Sequence, residues 1–182
     1  MEKLYKILLS DVPSIEIENN KEYMFNIIPN LSKCVGFLQH NDWHVYDVYD
    51  HIMHVLDGVS NNLELRLAAL FHDLGKVDTF VLDKNGVGHF PNHWVKSDEL
   101  FHEFSIKYNL DDKLVERVSK LIYYHDYNMS NLSDEERNNI IDIFGDDISL
   151  LFELKRSDLL AQNSQYYYLL EEYKKQELSL VK

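Results

Sequence analysis

The chain has 182 residues and carries 31 acidic against 18 basic side chains, so its formal net charge is −13. The composition, 45% hydrophobic and 27% charged, indicates a folded domain and excludes disorder over most of the length. A surface this acidic, without a long Lys/Arg cluster, disfavours nucleic-acid binding, and the single cysteine, Cys34, excludes an internal disulfide and a Cys-rich zinc site.

Helical periodicity dominates the chain, because six glycines and three prolines leave long stretches without breakers. An apolar stripe over Val45–Val59 predicts an amphipathic helix. Residues Leu63–Leu74 are apolar on almost every side, which predicts a central buried helix that Gly75 ends as a C-cap.

Strand character is confined to one segment, Thr79–Phe90. The dipeptide Asn85-Gly86 within it favours a tight turn, so we expect a small hairpin. Beyond this segment, apolar spacing predicts a helix over about His93–Tyr108 and another that follows a cap at Asp111.

The C-terminal third is also expected to be helical. The sequence Ser133-Asp-Glu-Glu136 is a capping box, and a last helix is predicted from about Asp147 into the 170s, with a charged tail from Glu171 that frays. These elements predict an all-α helical bundle with one small β-hairpin near residues 79–90. The expected division is an N-terminal helical segment at 1–40 packed on the domain, a main domain at 41–165, and a helix end with a charged tail at 166–182.

A few polar side chains fall on apolar helix faces, where an unpaired carboxylate costs several kcal/mol. They are His51, the adjacent pair His72 and Asp73, His125, and Asp158. Imidazoles and carboxylates that converge from separate helices form a divalent-metal site, and Asp73 could bridge two ions. The alternative is a helical core in which the histidines are only hydrogen-bonded and no metal binds.

The order of these residues is similar to that of the HD domain superfamily of metal-dependent phosphohydrolases. The motif that carries this resemblance is Phe71-His72-Asp73-Leu74-Gly75-Lys76, preceded by His51 and followed by His93, His125 and Asp158. Within the superfamily, the chain most resembles the HD region of bacterial tRNA nucleotidyltransferases, the CCA-adding enzymes and their poly(A) polymerase relatives. The segments that carry this closer resemblance are 28–39, 44–51, 89–93 and 157–161.

The chain departs from the pattern of these relatives at two points. Asn92 stands where the pattern has a glycine just before the third histidine, His93. The nucleotidyltransferase head, with its Gly-Ser signature and paired catalytic aspartates, is missing from this sequence. The resemblance therefore implies an isolated HD module that hydrolyses and does not add nucleotides.

The resemblance also implies which residues bind metal. It assigns His51, His72, Asp73 and Asp158 as primary ligands, and it places His93 and His125 where two-metal relatives hold a second ion. The expected cofactor is one or two divalent transition-metal ions: Fe, Mn, Ni, Co or Zn. Magnesium suits this many imidazoles less well.

Catalytic roles are expected for Asp73, Lys76 and His44, and substrate contacts for Lys76, His44, His89 and Trp94. Lys76 is the natural phosphate contact, although its position also suits a cation at a helix C-terminus. His44 precedes His51 by seven residues, so a continuous helix would stack the two about 10 Å apart. A phosphate donor or general acid and a helix N-terminal residue without a role remain equally open interpretations of His44.

The function predicted from these residues is hydrolysis of a nucleotide or small phosphate ester by metal-activated water. The enzyme would be a phosphomonoesterase or a 2′,3′-cyclic phosphodiesterase. The alternative is a catalytically weak regulatory HD module that binds nucleotide or RNA. Because no apolar run approaches a membrane span of ~20 residues and no signal peptide is recognised, we expect a cytoplasmic protein whose partner is a small phosphate or nucleotide.

Overall fold

The computed structural model describes residues 1–181, and helices form nearly all of their regular structure. The helices are α1 (Glu2–Leu8), α2 (Pro13–Asn19), α3 (Lys21–Ile27), α4 (Pro29–Cys34), α5 (Val48–Gly58), α6 (Leu63–Phe71), α7 (Lys76–Thr79), α8 (His93–Tyr108), α9 (Asp112–Tyr124), α10 (Asp134–Phe144), α11 (Ile148–Leu160) and α12 (Leu169–Leu180). Short 3-10 turns cover Gly145–Asp147 and Ser164–Tyr166. The predicted all-α bundle is confirmed.

Helix α6 is the centre of the bundle, as its all-round apolar sequence predicts. Every residue from Leu65 to Phe71 is buried, and α5, α8, α9 and α11 pack around it. The N-terminal helices cover the remaining side, with α1 against α6 and both α2 and α4 against α5. Arg66 fastens α1 by donating hydrogen bonds to the carbonyl oxygens of Leu8 and, at 2.6 Å, Ser10.

Helix α5 begins three residues later than predicted, because Asp47 caps it. The Asp47 side chain accepts a hydrogen bond from the backbone N–H of Asp50 at 2.7 Å, and its second oxygen accepts one from Gly36 at 2.6 Å. Such a cap starts the helix at the following residue, Val48. The residues before it, His44 included, therefore lie in a turn outside the helix.

Helix α6 ends at Phe71, so the predicted extension to Leu74 is wrong. Gly75 is not the predicted left-handed C-cap either, because its φ is −71°. Its lack of a side chain serves close packing: a Cβ here would lie 2.5 Å from the carbonyl oxygen of His93 and 2.7 Å from the backbone nitrogen of Ser97. Gly75 thus allows the first turn of α8 to approach the turn after α6.

The predicted hairpin is present as strands β1 (Val81–Leu82) and β2 (Gly88–His89), paired antiparallel. Gly86 takes a left-handed conformation in its turn, with φ +81°. The backbone N–H of Gly88 donates to the carbonyl oxygen of His40 at 2.7 Å, which docks the hairpin against the segment before α5.

The predicted single C-terminal helix is wrong, since α11 and α12 are separate. The backbone at Asn163 is not helical, because its N–H donates to the carbonyl oxygen of Trp43 at 2.8 Å instead of to a residue of α11. The Asn163 side chain also donates to the carbonyl oxygen of Asp42 at 3.1 Å. The tail from Glu171 does not fray over the described residues. Helix α12 packs on α11 and buries Leu180, and the rest of the predicted tail, residue 182, lies outside the described residues.

Among the described residues, none of the helices combines the length and the apolar character that crossing a membrane requires.

Candidate metal centre

All six predicted metal ligands converge on one point in the bundle. They reach it from α5 (His51), the turn after α6 (His72 and Asp73), the start of α8 (His93), the end of α9 (His125) and α11 (Asp158). Asp73 lies in the middle. One of its oxygens, Oδ2, is 3.2 Å from Nε2 of both His51 and His72, and the other, Oδ1, is 3.3 Å from Nε2 of His93.

Each of the four imidazoles is oriented by a hydrogen bond from its outer nitrogen, Nδ1, to a backbone carbonyl. The acceptors are Ala161 for His51 (3.2 Å), Ala69 for His72 (2.8 Å), Phe90 for His93 (3.0 Å) and Ile122 for His125 (2.7 Å). Since a carbonyl only accepts, each Nδ1 carries a proton, which leaves Nε2 as the nitrogen that can bind a metal at the centre. Metal-binding histidines are typically held in this way.

The polar atoms at the centre lack the partners that burial requires. Nε2 of His51, Nε2 of His72 and both oxygens of Asp73 are buried and receive no hydrogen bond of ordinary geometry from the described residues. Nε2 of His93 and Nε2 of His125 lie only 3.2 Å apart, with lone pairs facing each other. Such groups cost free energy unless a cation lies between them, so these residues fit a divalent metal.

The distances fit a site for one or two ions. The ligand atoms of His51, His72 and Asp158 lie within 4.8 Å of one another, and so do those of His72, Asp73 and His125. His72 belongs to both groups, and Asp73 lies beside all four imidazoles.

The charges at the centre also favour a cation. Burial lowers the pKa of His51, but Asp158 and Asp73 beside its ring outweigh burial and raise that pKa to about 9. Burial raises the pKa of Asp158, but the hydrogen bond and charge of His51 outweigh burial and hold this pKa below its usual range. Burial and the neighbouring His72 and His93 outweigh the opposing effect of Asp73 and lower the pKa of His125, so its lone pair stays available.

Lys76 and His44 form one wall of the centre. The ammonium nitrogen Nζ of Lys76 lies 2.7 Å from Oδ2 of Asp73 and donates to Gln39 at 2.9 Å and to Nε2 of His44 at 3.1 Å. The other ring nitrogen of His44, Nδ1, donates to Asn41 at 2.8 Å. Burial and the Lys76 charge lower the pKa of His44 to about 2, so its ring is neutral.

The predicted stacking of His44 and His51 about 10 Å apart is wrong. Their ring centroids are 5.3 Å apart, because α5 begins after His44 and the preceding turn folds this side chain back over the centre. Both ring nitrogens of His44 already have hydrogen-bond partners within the protein, Asn41 and Lys76. The side chain of His44 that faces the centre therefore contacts Lys76.

A cavity of about 220 Å³ opens beside the centre, and the hairpin forms part of its wall through Gly88, His89 and Phe90. The His89 side chain is 57% exposed at the rim and lies 3.4 Å from Asp83. Trp94 does not line this cavity; it lines a neighbouring one.

Four side chains of the site were not predicted from the sequence: Gln39, Phe90, Asp126 and Gln162. Gln162 donates to Asp158 at 3.0 Å, and its position four residues after Asp158 was the signal that could have revealed it. Asp126 directly follows a predicted ligand. Gln39 reaches Lys76 across 37 residues, and no local pattern predicts such a contact.

The family model described as HD domain matches residues 42–177, which is about three quarters of the chain. The chain belongs to the HD domain family. HD domains are generally metal-dependent hydrolases that bind divalent metals, in agreement with the donor set described above. No curated protein matches this sequence.

The structure explains why this HD domain accepts Asn92 at the position where the related pattern has glycine. Asn92 is the N-cap of α8 and has φ +57°, in the left-handed region. Asparagine tolerates this region better than other residues with a Cβ. The turn therefore keeps its shape and places His93 at the start of the helix.

Replacing Asn92 by glycine is expected to leave the free energy of unfolding within about 0.5 kcal/mol of wild type, whereas Asn92→Val should lower it by about 1–2 kcal/mol. A β-branched side chain is strained at this φ, and relief of the strain would turn His93 away from the centre. Urea unfolding and calorimetric metal titration measure the two effects.

Asn131 provides a matched control, because it is exposed, has the same φ of +57° and does not line the cavity beside the centre. Asn131→Val should lower stability to a similar extent while metal affinity stays at the wild-type level. Equal stability of Asn92→Val and Asn92→Gly would contradict the strain argument.

Proposed function

We propose that this HD domain is a phosphohydrolase that acts on a nucleotide or small phosphate ester, as a phosphomonoesterase or a 2′,3′-cyclic phosphodiesterase. The observation that carries the proposal is the set of four buried imidazoles, each oriented through Nδ1, whose Nε2 atoms surround Asp73 beside an accessible cavity. Lys76 adds a fixed positive charge to the same cavity.

His51, His72, Asp73 and Asp158 would hold one ion, and His93 and His125 would complete a second set that shares Asp73. Imidazoles mixed with carboxylates favour Fe, Mn, Ni, Co or Zn over Mg. A divalent cation, when bound here, supplies a Lewis acid that makes water a better nucleophile and offsets the charge of phosphoryl oxygens.

The ammonium group of Lys76 would bind the phosphoryl group directly. Its three N–H groups face Asp73, Gln39 and His44. A phosphate oxygen would compete with the neutral His44 for one of them, because a charge-assisted hydrogen bond is stronger. Asp73 and Gln39 hold the ammonium group in place and thus reduce the reorganisation that charge development on the phosphate requires.

The hydrolysis itself needs only water as co-reactant. The water oxygen bonds to phosphorus, the phosphorus–oxygen ester bond breaks, and a water proton ends on the leaving alkoxide. His44 could relay that proton only after Lys76 has turned to the phosphate, since both of its ring nitrogens are otherwise occupied.

We also propose that residues 41–165 are the HD module proper and that this module is related to the HD regions of bacterial tRNA nucleotidyltransferases. Support comes from the segments 89–93 and 157–161, whose His93 and Asp158 both lie at the centre.

The test is elemental analysis of protein purified without chelator, followed by a screen against phosphomonoesters, cyclic nucleotides and phosphodiesters with each of the five metals. We expect one or two ions per chain, and phosphate release that chelation abolishes and added metal restores. Nucleotide binding without any hydrolysis would instead favour the regulatory module, and protein that binds no metal would contradict the metal centre.

A further inference from the structure

A second cavity, rich in aromatic side chains, lies directly beside the metal centre. Its volume is about 380 Å³, within the range of roughly 300–1,000 Å³ typical of small-molecule pockets. It is lined by Trp94, Tyr123, Tyr124, Asp126, Tyr127 and Asn128. We call it the aromatic pocket.

The aromatic pocket and the metal cavity are neighbours. Trp94 follows the predicted ligand His93 in α8, and their ring centroids are 5.4 Å apart. Asp126 follows the predicted ligand His125 and lines both cavities. This adjacency favours a ligand that has one group at the metal centre and a second group in the aromatic pocket.

The walls of the aromatic pocket are held in place by buried contacts. Lys155, 4% exposed, donates from Nζ to the carbonyl oxygens of His125 at 2.6 Å and Tyr127 at 2.9 Å, which fixes the turn between the two cavities. Tyr123 and Tyr127 remain 41% and 37% exposed. Aromatic faces that are fixed and accessible suit the stacking of a planar group.

The charges of the two cavities limit how many phosphates a ligand can carry. Among the described residues that line the two cavities, Lys76 is the one lysine or arginine. Asp126 lies at the boundary between the cavities, and Asp158 lines the metal cavity. A single phosphate at the centre would be compensated by Lys76 and by a bound metal ion. Further phosphates extending toward the aromatic pocket would meet the Asp126 carboxylate without a lysine or arginine partner.

We propose, building on the phosphohydrolase function above, that the substrate is a nucleoside monophosphate whose base stacks in the aromatic pocket while its phosphate lies beside Lys76. Trp94, Tyr123 and Tyr127 supply the stacking faces, and Asp126 and Asn128 supply polar groups for the edge of the base. Hydrolysis of a monoester then yields a nucleoside and inorganic phosphate, with the oxygen of water bonded to phosphorus.

The experiment compares kcat/KM of the metal-loaded protein for adenosine 5′-, 3′- and 2′,3′-cyclic monophosphate with kcat/KM for ribose 5-phosphate, which lacks a base. We expect the best adenosine nucleotide to exceed ribose 5-phosphate at least about tenfold, as stacking worth about 1.4 kcal/mol would give. Trp94→Ala and Tyr127→Ala should each lower this ratio about tenfold, and Trp94→Phe should retain most of it.

Tyr168→Ala is the matched control, because Tyr168 is 66% exposed and lines neither cavity. The ratio of kcat/KM for the adenosine nucleotide to kcat/KM for ribose 5-phosphate should be the same in Tyr168→Ala as in wild type. A wild-type ratio near one, or ratios in Trp94→Ala and Tyr127→Ala equal to that of the control, would overturn the aromatic pocket as the base site and leave hydrolysis intact.

Calorimetric titration separates this inference from the proposed function. The metal-loaded protein is titrated with adenosine 5′-monophosphate and with ribose 5-phosphate. If no ester is hydrolysed, the proposed function fails, but a Kd for the nucleotide at least about tenfold lower, and weakened by Trp94→Ala, would still support the base site. Equal Kd values for both compounds would contradict it.

Discussion

Replacing Asp73 by asparagine is expected to abolish detectable phosphate release and to weaken the binding of divalent metal at least about 100-fold. Asp73 is the one side chain of the centre that lies beside all four imidazoles and Lys76. Asparagine keeps its size but removes the negative charge that offsets the ammonium group and the metal. Elemental analysis and a phosphate-release assay measure both losses.

Asp78→Asn is the matched control for Asp73→Asn, because Asp78 lies five residues further on, outside the metal cavity, where its carboxylate faces Lys33 at 3.7 Å. It should bind metal and release phosphate at wild-type levels. His72→Ala is a second test, since it removes one Nε2 ligand without changing the charge of Asp73. Asp73→Asn and His72→Ala should both remain folded by circular dichroism, and turnover retained in both would refute the centre as the active site.

A single methyl group at Gly75 is expected to lower the free energy of unfolding by about 1–3 kcal/mol and to weaken metal binding at least about tenfold. In Gly75→Ala the new Cβ would lie 2.5 Å from the His93 carbonyl oxygen and 2.7 Å from the Ser97 backbone nitrogen. Both are backbone atoms, so relief requires a shift of the first turn of α8. That shift moves His93 out of the centre.

Gly36→Ala separates this effect from a general loss of stability. Gly36 has φ +72°, and a Cβ added to it would meet no atom of the described residues within 4 Å. Alanine there costs backbone strain of about 1 kcal/mol without touching the centre. Urea unfolding should show both variants destabilised, and metal titration should show weaker binding only for Gly75→Ala. Wild-type metal affinity in Gly75→Ala would mean that α8 accommodates the methyl group without moving His93.

The convergence of these polar side chains was largely predictable from the sequence, because burial leaves a local signature. His51 and His125 continue apolar helix faces, and Asp158 lies on the same side of α11 as Leu151 and Leu154. A polar side chain on a buried face must find a partner, whatever the tertiary arrangement. The structure brings these side chains together around Asp73, as that reasoning requires.

Helix boundaries were less predictable, because contacts between distant residues decide them. Asp47 starts α5 late partly through its contact with Gly36, and Asn163 ends the C-terminal helix early through Trp43. Neither contact has a counterpart in apolar periodicity. The same holds for Gly75, whose sequence context suggests a C-cap but whose role is to admit the backbone of α8.

Apolar periodicity and the cost of burying charge act locally along the chain, so they specify the all-α class, the central buried helix and the residue types that meet at the centre. Other features arise only when the chain is packed: His44 binds Lys76, Gln39 holds the same ammonium group, and Trp94 lines a separate aromatic pocket. These contacts join turns and helices that are far apart in the chain, and no spacing rule encodes that geometry.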